Sequence, residues 1–150
     1  MVRFSRSARF LVPLFCCMMM SLSLWAAPVT VDVPAGSPAK LDGTLDPAFA
    51  NSPVIETTFV SQGEAKSIAH AQARLVWDKN YLYAYVEVKD SLLNSNNAVA
   101  HEQDSVEAFI DETNAKTKPY SKGAAQYRVN YLYTTSGGSG ADLGRFKTGA

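Results

Sequence analysis

The clearest alternation of polar and apolar positions along the chain lies at residues 126–133. Gln126, Arg128 and Asn130 take every second position, and apolar or aromatic residues fall between them. Because side chains of a strand alternate between two faces, this segment predicts a strand with one polar face. The opposite face is predicted to face the core, and it carries Tyr127, Val129, Tyr131 and Tyr133.

The same kind of pattern predicts most of the remaining elements. Residues 71–77 and 81–89 are rich in aromatic and β-branched side chains, and the turn formers at 78–80 join them as a hairpin. Ser105–Asp111 alternates as another strand, and the Gly- and Ser-rich sequence from Thr134 onward predicts a flexible tail. Weaker signals predict a strand at 29–33, a helical turn at 47–50 capped by Asp46, and a β segment at 54–60.

These predicted elements together indicate the fold class. Short strands separated by turns, with almost no helical period, are typical of an all-β antiparallel sandwich. A parallel α/β sheet would need crossover helices, for which the sequence shows no signal. We therefore expect one all-β domain over 38–150, preceded at 27–37 by a linker or first strand.

The first 26 residues have the pattern of an export signal. Three arginines lie within the first nine residues, no charge follows from Phe10 to Ala27, and small residues end the run. This pattern predicts a signal peptide at 1–26, a secreted or periplasmic protein, and no membrane association after cleavage. Two alternatives remain open: Cys16 could carry a lipid, or the apolar run could persist as a membrane anchor.

Removing this leader changes the charge and the chemistry of the chain. The full chain has 14 basic and 14 acidic residues, and the three leader arginines reduce the basic count to 11, a net charge near −3. Such a balance does not predict nucleic-acid binding. Cys16 and Cys17 both lie in the leader, so the mature chain has no disulfide and no cysteine-based metal site.

The polar faces of two predicted strands carry the candidate ligand-binding groups. Glu107 is on the polar side of 105–111, and it would meet Gln126, Arg128 and Asn130 if the two strands are neighbours. Sugar hydroxyls both donate and accept hydrogen bonds, and carboxylate, amide and guanidinium groups are their usual partners. A plain solvated sheet face carries the same residue types, so the alternation alone leaves both interpretations open.

Other side chains are weaker candidates for ligand or metal binding. His101, in the loop before Ser105, is a candidate ligand contact or a solvated histidine, and the position of Trp77 at a strand end favours a core or structural role. Oxygen-rich loops can bind Ca²⁺, although EF-hand spacing is absent. The acidic residues of these loops are Glu87, Asp90, Glu102, Asp104, Asp111 and Glu112.

From about residue 38 to its end, the chain resembles carbohydrate-binding module family 9. The matching segments are Leu41-Asp-Gly-Thr-Leu-Asp46, Trp77-Asp-Lys-Asn-Tyr-Leu-Tyr83, Val88-Lys-Asp90, Glu102-Gln-Asp-Ser-Val-Glu-Ala-Phe-Ile-Asp-Glu-Thr-Asn114 and Gln126-Tyr-Arg-Val-Asn-Tyr131. The resemblance implies a non-catalytic β-sandwich that binds reducing ends of xylan and cellulose, or free mono- and disaccharides. Such modules are often attached to xylanases of glycoside hydrolase family 10, so a covalent link to a catalytic domain is expected.

The resemblance also implies roles for individual residues. Glu107, Arg128 and Asn130 would hydrogen-bond the terminal sugar, with Gln126 close by. His101 stands where the family has the first of two stacking tryptophans. Structural calcium is implied too, with Asp90 and Asp104 as the expected ligands. Because the family domain continues for several more strands, we expect a module truncated at its carboxyl end.

Two other functions are alternatives to a binding module. A glycosidase needs two positioned carboxylates; Glu107 and Glu102 are candidates, but the strand pattern supplies no second partner, and a xylanase barrel needs roughly 250 residues. A haem-binding sandwich with Met/His ligation needs a methionine, and all four methionines lie in the leader. The sequence therefore favours binding without catalysis.

Overall fold

The computed structural model describes residues 30–57, 69–117, 123–138 and 140–149. The strands in these ranges are β1 (Ile55–Glu56), β2 (His70–Trp77), β3 (Leu82–Lys89), β4 (Ser105–Asp111), β5 (Ala124–Asn130) and β6 (Thr135–Gly137). Two short 3₁₀ turns, Pro47–Phe49 and Ala100–Glu102, accompany them. The predicted signal peptide lies outside the described residues, as do positions 58–60 of the β segment predicted at 54–60, of which Ile55–Glu56 forms β1. Within the described residues, no helix is long and apolar enough to cross a bilayer.

The first sheet has the order β1-β2-β3, and all its pairings are antiparallel. Its two long strands, β2 and β3, form a hairpin, which confirms the predicted pair of strands. The carboxylate of Asp78 closes the turn, because its Oδ1 accepts the backbone N–H groups of Asn80 at 2.7 Å and Tyr81 at 2.9 Å. A short polar side chain that bonds the backbone two residues ahead favours a turn at this position.

One face of this sheet is covered by the segment before β1. Asp46 caps the Pro47–Phe49 turn by accepting the N–H of Ala48 at 2.8 Å, which confirms the predicted helical turn. Phe49 is thereby buried, with its ring centroid 6.1 Å from that of Tyr85. Val76 is fully buried on the same side. The core of this half of the chain therefore lies between the 3₁₀ turn and the β2–β3 hairpin.

The segment leading into this cover contains no strand at 30–33, the described part of the predicted first strand. Ala35 instead makes an isolated parallel bridge to Trp77, and Gly36 N–H donates to the Trp77 carbonyl at 2.9 Å. Pro34 has no N–H to donate, which limits regular pairing here. Trp77 has the expected structural role, since its Nε1 donates to the Val33 carbonyl at 2.9 Å, but it is 48 % exposed and not a core residue.

The second sheet has the order β4-β5-β6 and is also antiparallel. β4 has the predicted bounds. β5 begins two residues earlier than the alternation predicts and ends at Asn130. β6 forms within the Gly- and Ser-rich stretch that predicts a flexible tail, and further along, the ring of Phe146 packs 5.1 Å from that of Tyr127. The two antiparallel sheets confirm the predicted all-β sandwich class.

The structure corrects the predicted core face of β5. Because the strand ends at Asn130, Tyr131 and Tyr133 lie in the following turn and remain 39 % and 52 % exposed. Tyr133 has a φ of 61°, a conformation that interrupts a strand. On the polar face, by contrast, Arg128 and Asn130 are only 7 % and 9 % exposed. Buried polar side chains require hydrogen-bond partners, so this face must contain a network.

Candidate functional site

Four polar side chains form what is here called the polar cluster: Glu107, Gln126, Arg128 and Ser136. They come from three neighbouring strands. Glu107 of β4 lies directly opposite Arg128 of β5 in the register, and Ser136 of β6 lies opposite Arg128 on its other side. Because directly paired residues share a face of the sheet, all four side chains point to the same side.

The carboxylate of Glu107 is the centre of this cluster. Its Oε1 accepts a hydrogen bond from Arg128 Nε, and its Oε2 accepts one from Gln126 Nε2 at 2.8 Å. Arg128 Nη1 also donates to Ser136 Oγ at 3.3 Å. The Arg128 side chain is 8 % exposed and that of Glu107 is 26 % exposed. Glu107 is therefore the more accessible member of the pair, and the more deeply buried Arg128 bonds it from the adjacent strand.

The surroundings of Glu107 keep it ionised. Its partial burial opposes the charged form, but hydrogen bonds from Arg128 and Gln126 and the positive charges of Arg128 and His101 outweigh this effect and lower its pKa. An ionised carboxylate accepts about four hydrogen bonds. The contacts with Arg128 and Gln126 leave capacity for hydroxyl donors from a ligand.

Gly138 keeps Gln126 in place beside this carboxylate. A Cβ added at Gly138 would overlap the carboxamide oxygen of Gln126. The backbone N–H of Gly138 also donates to the Gln126 carbonyl at 2.9 Å. A side chain at position 138 would therefore displace the Gln126 amide that bonds Glu107.

The Asn130 side chain bonds to other parts of the chain through both its oxygen and its nitrogen. Its Oδ1 accepts the backbone N–H groups of Leu132 at 3.0 Å and Thr134 at 2.9 Å, and its Nδ2 donates to Gln103 Oε1 at 2.9 Å. These contacts join the end of β5 to its own turn and to the loop before β4. The structure therefore gives Asn130 an organising position, and direct contact with a sugar stays a prediction for this residue.

His101 lies close to the polar cluster. It belongs to the Ala100–Glu102 turn, is exposed, and contributes a positive charge that lowers the pKa of Glu107. Gln103, which follows this turn, is the residue that Asn130 bonds. The sheet thus holds the loop that carries His101 at the edge of the cluster. Glu107, Gln126 and Arg128 lie together on one face, and His101 lies in the loop before β4. Contact of any of these residues with a ligand stays a prediction.

The described residues do not form an evident calcium site. Asp90 Oδ1 accepts the N–H of Leu92 at 2.9 Å, and Asp104 Oδ2 accepts that of Asn94 at 2.6 Å. Within the described ranges, no three histidine, cysteine or acidic side chains converge as metal ligands would. Calcium binding by Asp90 and Asp104 stays a prediction.

Sequence reasoning overlooked four residues that the structure places at or beside the site: Gln103, Phe109, Ser136 and Gly138. Phe109 could have been placed at the site from the sequence, because it lies two positions after Glu107 and so shares its face. Gln103 is part of the Glu102-Gln-Asp-Ser segment, but its bond to Asn130 spans 27 residues. Ser136 and Gly138 lie in the sequence that predicted a flexible tail, so nothing local pointed to them.

Known proteins resemble this chain in sequence. A family model described as "Carbohydrate family 9 binding domain-like" matches residues 41–149. Endo-1,4-beta-xylanase A of Thermotoga maritima is 45 % identical over 113 residues, which is 75 % of this chain and 11 % of that protein. Endo-1,4-beta-xylanase C of Paenibacillus barcinonensis is 42 % identical over 113 residues, 10 % of its length. The chain thus spans about a tenth of the length of these relatives.

Solved structures show the same architecture. A carbohydrate binding module family 9 (CBM9) from Caldicellulosiruptor kristjanssonii, in complex with cellotriose, matches with a TM-score of 0.66 and 34 % sequence identity. The match covers 74 % of this chain and 54 % of that one. The complex of that module with glucose matches equally well, over 56 % of its chain.

Proposed function

Because the chain belongs to the carbohydrate family 9 binding domains, we propose that its polar cluster binds the reducing end of a plant cell-wall glycan, xylan or cellulose, or a free mono- or disaccharide. The chain is a carbohydrate-binding module and has no catalytic role. The observation that carries the proposal is the ionised Glu107 carboxylate, held by Arg128 and Gln126 with part of its surface exposed.

This arrangement suits sugar hydroxyls for a physical reason. A carboxylate whose orientation is set by two donors loses little conformational freedom when a ligand binds, so more of the hydrogen-bond energy appears as affinity. Hydrogen bonds to a charged acceptor are also stronger than those between neutral groups. His101 adds a flat ring at the edge of the cluster, which favours contact with the apolar face of a pyranose.

Catalysis by the chain itself is not supported. The xylanase relatives match this chain over only 10–11 % of their length, so their activity is not assigned to it. Glu102, the second carboxylate considered for a glycosidase pair, accepts a hydrogen bond from Asn97 Nδ2 at 2.5 Å. Membership of a carbohydrate-binding family likewise gives no support to the haem-binding alternative.

Replacing Glu107 by glutamine tests the proposal with little change of shape. We expect the Kd for glucose and for cellotriose to rise about tenfold or more, because a hydrogen bond to a charged group contributes about 1.5–3 kcal/mol. Isothermal titration calorimetry measures both sugars. Glu87→Gln is the matched control, since Glu87 is an exposed glutamate on the first sheet and pairs only loosely with Lys89, at 3.8 Å. Unchanged affinities in Glu107→Gln would contradict the proposal.

Export is the second part of the proposal, supported by the arginine-rich start and the uncharged run that follows. A secreted or periplasmic module, linked covalently to a catalytic domain in a longer gene product, would meet polysaccharides outside the cell. We expect the exported protein to begin at Ala27 after cleavage. Amino-terminal sequencing checks this, and membrane-bound material that still begins at Met1 would contradict it.

A further inference from the structure

An exposed aromatic ring lies next to the polar cluster on the same face of the second sheet. Phe109 is two residues after Glu107 along β4, so the two side chains point to the same side. In the pairing of β4 with β5, Phe109 lies directly opposite Gln126, the residue that donates to Glu107. The Phe109 side chain is 57 % exposed.

We propose that Phe109 is a stacking platform for the second ring of an oligosaccharide whose terminal ring is held by the polar cluster. The inference rests on the proposed function and extends it to a neighbouring subsite. Two residues of a strand span about 6.8 Å, so the platform is one step along β4 from the Glu107 carboxylate. A saccharide that donates hydroxyls to Glu107 would have its next ring in reach of Phe109.

The chemistry of the two positions is complementary. Glu107 and Gln126 supply polar groups for hydroxyls at the sugar edge, while the phenyl ring offers a flat apolar surface to the C–H face of a pyranose. Burying these two apolar surfaces against each other is favourable because both leave water. A ligand site with a few polar groups beside an aromatic side chain is a common arrangement for small molecules.

The order of groups along β4 gives the site a direction. His101 lies in the turn that precedes the strand, Glu107 lies within it, and Phe109 lies beyond Glu107. A saccharide bound along this face would therefore contact Phe109 only if it has more than one ring. The dependence of affinity on saccharide length is consequently the property that Phe109 controls.

Phe109→Ala tests this inference through a comparison of two sugars. We expect the Kd for cellotriose to rise about tenfold, the scale of about 50 Å² of apolar surface at about 25 cal/mol per Å². The Kd for glucose should change less than about twofold, because a single ring stays at Glu107. Phe109→Tyr keeps the ring and should keep the preference for cellotriose, whereas Phe109→Leu keeps apolar bulk without a flat ring and should lose it.

Tyr81→Ala is the control for removing an exposed aromatic residue, because Tyr81 is 53 % exposed and lies at the first sheet. It should change neither affinity. If Phe109→Ala and Phe109→Leu leave the ratio of the two Kd values as in the wild type, Phe109 is not a stacking platform. If Glu107→Gln also has no effect, or the wild type binds neither sugar, the proposed function is wrong as well.

Discussion

Replacing Arg128 by alanine is expected to lower the free energy of unfolding by about 2–4 kcal/mol and to abolish measurable sugar binding. The Arg128 side chain is 8 % exposed and bonds both Glu107 and Ser136. Its removal leaves a partly buried carboxylate without its charged partner, a change that costs about 3–5 kcal/mol for fully buried pairs. Because Glu107 retains some solvent contact, the expected loss is smaller than for a fully buried pair. Urea denaturation measures it.

Arg145→Ala is the matched control for Arg128→Ala. The Arg145 side chain is 69 % exposed and lies 3.5 Å from the carboxylate of Glu112, so its loss should cost less than about 0.5 kcal/mol. Equal stabilities of the two variants would contradict the role given to Arg128.

The pH dependence of stability distinguishes the contribution of the Glu107–Arg128 ion pair from that of packing by the Arg128 side chain. The folded pKa of Glu107 is lowered, so its contribution to stability is complete above the ordinary glutamate pKa of about 4.3. That contribution is lost as the pH falls from there through the lower folded value. In Arg128→Ala this component should shrink, and an unchanged pH profile would show that the loss comes from packing alone.

Asn130→Ala is expected to lower the free energy of unfolding by about 2–3 kcal/mol, because it removes three hydrogen bonds at a buried position. It should also weaken sugar binding, since Asn130 links the sheet to Gln103 and so to the loop with His101. Thermal unfolding and amide hydrogen exchange at Leu132 and Thr134 measure the loss of stability, and isothermal titration calorimetry measures sugar binding.

Asn130→Asp distinguishes the effect of Asn130 on its own turn from its effect on the loop that carries Gln103 and His101. Aspartate retains an oxygen that accepts the N–H groups of Leu132 and Thr134, but it cannot donate to Gln103. The exchange rates at those two amides should therefore stay close to those of the wild type, while sugar affinity falls. If Asn130→Ala costs less than about 0.5 kcal/mol, the hydrogen bonds described for Asn130 do not organise this end of the sheet.

The sequence by itself determined the elements whose signals are local. β4 has the predicted bounds because its alternation is uninterrupted, and the β2–β3 hairpin follows from two β-rich runs around Asp78. The Pro47–Phe49 turn follows from the Asp46 cap and the proline after it. In each case the decisive contacts join residues close along the chain, so periodicity and turn chemistry were sufficient. Alternation also placed Gln126 and Arg128 on one face.

The tertiary structure alone decided how that face is used. Alternation cannot tell a buried polar residue from an exposed one, because burial depends on which strands lie alongside. β6 supplies Ser136 to Arg128, and Gly138, directly after this strand, lies against Gln126, although the composition of this stretch predicted a flexible tail. The end of β5 at Asn130 likewise depends on partners in the turn and at Gln103. These contacts bring together residues distant in sequence, and they leave Glu107 more accessible than its buried partner Arg128.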